Sequence, residues 1–224
     1  MKVLNSYLSS IVRGISTLIF PETCLVCSQP GSDLCGVCKN RFIPKPKFLL
    51  GEKFSIVSSL PYDEFSKKVI LLSKEQGLVA AHRILARALS SAISEFRVKT
   101  RFSIVLIPTQ GKSLRRRGIN HLEEISKMIL RNTLINQDFE ILNALEFTRR
   151  ISDQTKLTES ERTSNLRGAF RVKKVRISNP VIVMDDVITT GSTLREAVRA
   201  LQERNLTVIG AATACASQRR LAIG

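Results

Sequence analysis

The sequence predicts an α/β protein: a parallel sheet with helices on both faces, preceded by a small module built on four cysteines. Three observations carry this. Two Cys-x-x-Cys pairs stand close together near the start, at Cys24 and Cys27 and at Cys35 and Cys38. From residue 55 onward, short apolar runs alternate with segments of helical periodicity, the pattern of strands joined by crossover helices. Residues 180–184 are uncharged and rich in β-branched side chains, as a strand buried on both faces must be.

A chain of 224 residues, 43% of them hydrophobic, holds one α/β domain and a small module. Residues 1–50 are expected to carry a helix, the cysteine module and a linker, and residues 51–224 the α/β domain. Leu4, Tyr7, Leu8, Ile11, Ile15 and Leu18 recur at helical spacing, which reads as an amphipathic docking helix. Arg13 interrupts the apolar run and no small-x-small site precedes Cys24, so an export signal is not expected. Nor is a membrane span, since no apolar stretch approaches the roughly 20 residues one needs.

The remaining elements follow in order. The stretch around Pro44 and Pro46 reads as an extended linker and residues 55–60 as a short strand. Residues 63–73 and 78–96 are helical, separated at Gly77. An apolar strand at 102–107 ends at Pro108 and opens into a basic loop reaching Gly118. A helix at 119–130 and a strand at 141–147 come next. Residues 148–167 are charged and poor in large apolar side chains, the composition of a lid. The buried strand at 180–184 leads into a loop at 185–192, a helix at 193–204 and a last strand at 206–215.

Lysine and arginine total 35 against 19 acidic residues, a net charge of +16. Four thiolates around one zinc would lower this to about +14. Such a charge favours polyanions: nucleic acid, phosphorylated metabolites or an anionic membrane surface. Aromatics are 5% and Trp is absent, which argues against a base-stacking platform.

Each two-residue gap between cysteines lets both sulfurs face one point, and two such hairpins complete a tetrahedral shell. Cys24, Cys27, Cys35 and Cys38 are therefore the candidate ligands of a structural Zn²⁺. A closed shell leaves no position for water. Paired metal spacing in a long chain also points to reduced thiols and the cytoplasm. Cys215, in an apolar run, reads as a buried thiol.

The chemistry gathers at residues 185–193. A buried strand delivers Asp185 and Asp186 to its carboxyl end, where ligands bind in open α/β sheets. Val187, Ile188, Thr189, Thr190, Gly191, Ser192 and Thr193 then lead into a helix. Their amides and hydroxyls suit a phosphate dianion at a helix N-terminus. The paired acids suit the hydroxyls of a ribose, with Mg²⁺ offsetting the remaining negative charge. His82 lies mid-helix and reads as structural or solvated; His121, beside the basic loop, is assigned no chemistry.

Residues 180–194 closely resemble the phosphoribosyl diphosphate motif of type I phosphoribosyltransferases. The resemblance implies that Asp185 and Asp186 hold the ribose hydroxyls and that residues 187–193 hold the 5-phosphate. The cysteine module followed by this loop resembles the ComF family of bacterial competence-related proteins. Ile107-Pro108 with the arginine run before Gly118 is similar to that family's basic loop. The series Arg149, Arg150, Gln154, Leu157, Arg162, Asn165, Gly168, Ala169 and Phe170 is similar to its second block. The chain departs from the family at Thr109-Gln110 and at Ile119-Asn120-His121.

By this resemblance Arg115, Arg116 and Arg117 would neutralise a diphosphate, and Arg150, Lys156 and Arg162 would close over it from the lid. The family resemblance further implies a role in DNA uptake and transformation, with contact to single-stranded DNA and to other DNA-uptake proteins. Two readings remain open. One is a ComF-type protein that binds phosphoribosyl diphosphate with magnesium; the other is an active phosphoribosyltransferase of nucleotide metabolism with no direct DNA role.

Overall fold

The structure is a computed structural model that describes residues 23–50, 53–109, 118, 120–131, 135–149, 151 and 159–221; side chains at 159, 160, 162, 163, 220 and 221 are not described. The helix expected within residues 1–20 lies outside the described residues. The chain divides into two compact units, Met1–Ile43 and Pro44–Gly224. In the first, the described residues form a turn closed by a bridge between Thr23 and Pro30 and a short helix, α1 (Gly36–Arg41).

The second unit is a six-stranded sheet with one small antiparallel pair beside it. Its elements run β1 (Lys47–Leu49), β2 (Ser55–Tyr62), α2 (Glu64–Leu71), α3 (Val79–Ser94), β3 (Phe102–Leu106), α4 (His121–Leu130), β4 (Phe139–Leu142), β5 (Leu145–Phe147), α5 (Glu159–Leu166), β6 (Phe170–Val172), β7 (Val181–Ile188), α6 (Ser192–Gln202), β8 (Val208–Ser217) and α7 (Gln218–Leu221). The sheet order is β1-β2-β8-β7-β3-β4. All neighbours are parallel except β1, which pairs antiparallel with β2. The stretch expected as a linker thus contributes an edge strand.

Strand order fixes where a ligand can enter. The β3–α4–β4 crossover runs outward one way and β7–α6–β8 the other. Right-handed crossovers in opposite directions place α4 and α6 on opposite faces. The crevice between them opens at the carboxyl ends of β3 and β7, the topological switch point.

The central strands are buried on both sides: Ile104 and Val105 of β3, and Ile182, Val183 and Met184 of β7. Leu85 and Leu89 of α3, Ile125 and Ile129 of α4, and Leu194, Ala197 and Leu201 of α6 complete the core. Helical spacing of these residues turns one stripe of each helix toward the sheet. Each of the valine, leucine, isoleucine and methionine side chains contributes about 1.5–3 kcal/mol on burial.

Two features differ from the expected elements. The strand before the acid pair does not stop at Met184, because pairing with β8 continues through Val187 opposite Cys215 and Ile188 opposite Ala216. The expected strand at 141–147 is two strands. The chain breaks at Asn143 and Ala144, where Ala144 takes the amide of Lys173 at 2.8 Å; β4 joins the main sheet and β5 pairs with β6.

The segment after β2 opens with a capping box. The Asp63 carboxylate accepts from the Ser66 amide and the Ser66 hydroxyl from the Asp63 amide, both at 2.9 Å. The helix then widens into a π turn, Leu72–Gln76, that ends at Gly77 with φ 63°. His82 is buried, with Nε2 at 3.2 Å from the Ser73 carbonyl. It is structural, and burial lowers its pKa.

Candidate functional site

The cysteine module is built from tight turns. The Cys24 amide donates to the Gln29 carbonyl and the Ser28 amide to the Cys24 carbonyl, both at 2.8 Å. Ser28 at φ 64° and Gly31 at φ 131° supply the left-handed steps. Cys35 caps α1 and accepts the Cys38 amide at 3.5 Å. The four Sγ atoms lie within 4.8 Å of one another, and those of Cys27 and Cys35 are 3.6 Å apart. A tetrahedron with Zn–S near 2.3 Å has edges of about 3.8 Å. The four thiols are therefore positioned to hold one metal ion, and an all-sulfur set suits zinc.

The thiols also show why a cation belongs there. Burial alone would raise Cys24, but amides of Cys27, Cys35 and Val26 outweigh it and bring the thiol down to about 6. Burial, then hydrogen bonding to the other thiols, pushes Cys38 up to about 12. One negative charge settles easily and the next is resisted, a repulsion that a divalent ion removes.

In the second unit, β7 carries Asp185 and Asp186 to its end, both buried. Asp185 Oδ1 accepts the Asp186 amide at 2.9 Å. Asp186 Oδ2 lies 2.7 Å from the Lys74 ammonium and 3.8 Å from the His121 imidazole. Burial, then the charge of Asp186, raises Asp185 well above the usual carboxylate range. Burial would raise Asp186 as well, but Lys74 and His121 together bring it well below that range. Within one dipeptide, the two carboxyls are driven in opposite directions.

The turn that follows fits an anion. Gly191, at φ 80°, precedes α6 in the left-handed conformation and offers no side chain to cap the helix. The positive end of the helix dipole lies at this turn, where the Ser192 amide donates to the Thr190 hydroxyl at 3.4 Å. Thr189, Thr190 and Thr193 are half-buried, whereas Gly191 and Ser192 are buried. The hydroxyls of Thr190 and Ser192 are 2.9 Å apart, and the Arg195 guanidinium donates to the Ser192 hydroxyl at 3.3 Å. Val187 is half-buried and Ile188 buried, both still within the strand.

The basic loop and the lid are seen at their roots. The Ile107 amide donates to the Met184 carbonyl at 3.0 Å. Beyond it, the Thr109 hydroxyl donates to Asn120, and Asn120 and Asn143 both donate to Glu123. Arg115, Arg116, Arg117, Arg150 and Lys156 lie outside the described residues. Arg162 falls within α5, with its side chain not described. The segment expected as a lid is tied at its two ends: the Thr148 amide donates to the Ala169 carbonyl at 2.9 Å and its hydroxyl to the Gly168 carbonyl at 2.7 Å. Buried Glu196 accepts the Phe170 amide at 3.1 Å, and Arg199 donates to both Glu196 and the Phe170 carbonyl. The strand leaving the lid is thereby fixed to α6.

Sequence reading missed Lys74 and Arg195 and set His121 aside. Arg195 follows Ser192 by one turn of a helix, a spacing visible in the sequence. Lys74 gave no local signal, because its position depends on the π turn.

Residues 114–222 match the model of the phosphoribosyl transferase domain family. That span runs from the basic loop through the acid pair to the end of β8. None of the curated proteins compared matches the chain. Among solved structures, a hypoxanthine phosphoribosyltransferase from Staphylococcus aureus is similar, with 14% identity over 62% of this chain and 65% of that one and a TM-score of 0.34. The match thus spans slightly less than two thirds of that protein. The part of the chain that matches this family model follows the four-cysteine module and includes β7, α6 and β8. No helix among the described residues is long and apolar enough to cross a membrane.

Proposed function

We propose that the chain binds phosphoribosyl diphosphate with magnesium at the turn between β7 and α6. The supporting observation is the pairing of two buried acids with a helix that starts at a left-handed glycine five residues on. Amides and hydroxyls of residues 187–193 hold the 5-phosphate, with Arg195 adding charge beside Ser192. Asp185 and Asp186 take the ribose hydroxyls. Hard oxygen donors suit magnesium, and with Asp186 already against Lys74 the ion would be held mainly through the ligand's own phosphates. Bound there, it would supply charge neutralisation for a departing diphosphate. Arg115, Arg116 and Arg117 serve the same end from the basic loop, as do Arg150, Lys156 and Arg162 from the lid.

The resemblance to ComF proteins extends this reading to DNA uptake, with single-stranded DNA held by the basic surface and zinc by the cysteine module. Calorimetry of the purified protein with phosphoribosyl diphosphate and magnesium tests the core of it. Saturable binding is expected, and folded protein that binds none overturns the site. Release of diphosphate in the presence of candidate bases separates a transferase from a binding protein.

A further inference from the structure

We infer that Lys74 is a positioning residue of the sugar site: its ammonium holds the Asp186 carboxylate charged and oriented as the acceptor of the ligand's ribose hydroxyls. This rests on the reading of residues 185–193 as a ribose-phosphate site. The side chain of Asp186 is 4% exposed, that of Lys74 is 26% exposed, and Nζ lies 2.7 Å from Oδ2. A carboxylate so deeply placed takes up a proton unless a cation faces it. Once protonated, it turns one oxygen into a donor and loses the charge that strengthens its bonds to hydroxyls.

The lysine is held where it is needed. It sits in the π turn Leu72–Gln76, stopped at one side by left-handed Gly77. On the other side, buried His82 fixes the Ser73 carbonyl at 3.2 Å. A π turn rotates the side chains within it relative to the α-helix that precedes it, and such turns are frequent at functional sites. Among the described residues, the other titratable groups around Asp186 are Asp185 on its own strand, Tyr62 at the end of β2, His121 at the start of α4 and Cys215 on β8. Lys74 and His121 are the bases among them, and Lys74 is the nearer. Asp63 faces this cluster through Cys215.

Calorimetry with phosphoribosyl diphosphate and magnesium, run at about pH 7 in two buffers of different ionisation enthalpy, tests the assignment on wild type, Lys74→Met and Lys74→Arg. Lys74→Met should bind at least about tenfold more weakly. Its binding should also release about one proton, because the unpaired Asp186 must give one up to accept the ribose. Lys74→Arg should stay within about threefold of wild type with no such release, since the cation is kept. Should Lys74→Met fail to fold, Lys74→Gln is read in the same way. Wild-type affinity in Lys74→Met overturns the proposal. So does tighter binding, which would make Lys74 a competitor for Asp186. Weakening by both substitutions without proton release also overturns it, leaving a purely structural lysine. Wild-type protein that is folded and binds nothing overturns the sugar site itself, a result distinct from these.

Discussion

The Ile107 amide and the Met184 carbonyl, 3.0 Å apart, tie the exit of β3 to the residue just before the acid pair. Parallel pairing of these strands, Leu106 opposite Met184, therefore continues one step past the strand end. The chain that becomes the basic loop departs beside Asp185. The basic loop and the acid pair thus start from adjoining rungs of one sheet.

The acids should be indispensable to binding. Replacing both, Asp185→Asn with Asp186→Asn, removes two acceptors, and the charged bond to the depressed Asp186 alone is worth about 1.5–3 kcal/mol. Affinity for phosphoribosyl diphosphate should fall on the order of 100-fold or more by calorimetry. Unchanged affinity would remove the ribose from this position.

The same acids carry opposite pH dependences. Asp185, raised by burial and then by Asp186, favours the folded state while protonated. That contribution is complete below the ordinary value of 3.8 and is lost as pH rises through the raised value. Asp186 is depressed, so its contribution is complete above the ordinary value and is lost as pH falls through the folded one. Asp185→Asn alone should raise the melting temperature at neutral pH, with the gain shrinking as pH falls toward the ordinary carboxylate value. Melting curves across that range check it; a variant less stable at neutral pH contradicts it.

Metal in the cysteine module is open to direct analysis. Protein kept reduced should contain about one zinc per chain, and Cys27→Ser or Cys38→Ser should lower the content. Loss of the ion should expose residues 23–43 to protease, since binding in such modules is worth on the order of 10 kcal/mol. Metal-free wild type that resists cleavage equally well would refute a structural ion.

Gly210 on β8 is pinned by its neighbours. A Cβ there would meet the Ser55 carbonyl oxygen and come within 2.6 Å of the Phe96 ring. Gly210→Ala should cost about 1–3 kcal/mol in urea unfolding, as overpacked cores do. A neutral result would mean that Phe96 and the β2 backbone yield more freely than a central strand pair should.

Contact with single-stranded DNA should be mainly electrostatic, given a net charge of +16. If about six phosphates are engaged, affinity should fall on the order of 300-fold between about 50 and about 200 mM salt. Filter binding across that range measures the slope, and a flat response would exclude a polyanion surface.

What the sequence made legible was whatever a local pattern encodes. Residues 180–184 declared a buried strand through composition alone, and the two cysteine pairs declared a metal shell through spacing. The acids and the small hydroxyl residues after them were readable for the same reason. Lys74 was not, because its meeting with Asp186 needs a parallel sheet, a crossover and a π turn to be in place together. Lys47–Leu49 was hidden differently: flanking prolines mark an extended chain equally well whether or not a neighbour pairs with it. The break at Asn143 could not be seen because Glu123, which takes its amide at 2.9 Å, lies on another element.

The clasp joining Thr148 to Gly168 and Ala169 makes a cassette of the residues it encloses. Both ends are fixed by bonds that belong to the framework, so a shorter, longer or borrowed sequence can be spliced in without moving β5 or β6; ring closure penalises added length only logarithmically. Exchange of residues 150–158 for another sequence should therefore leave β5 and β6 in place.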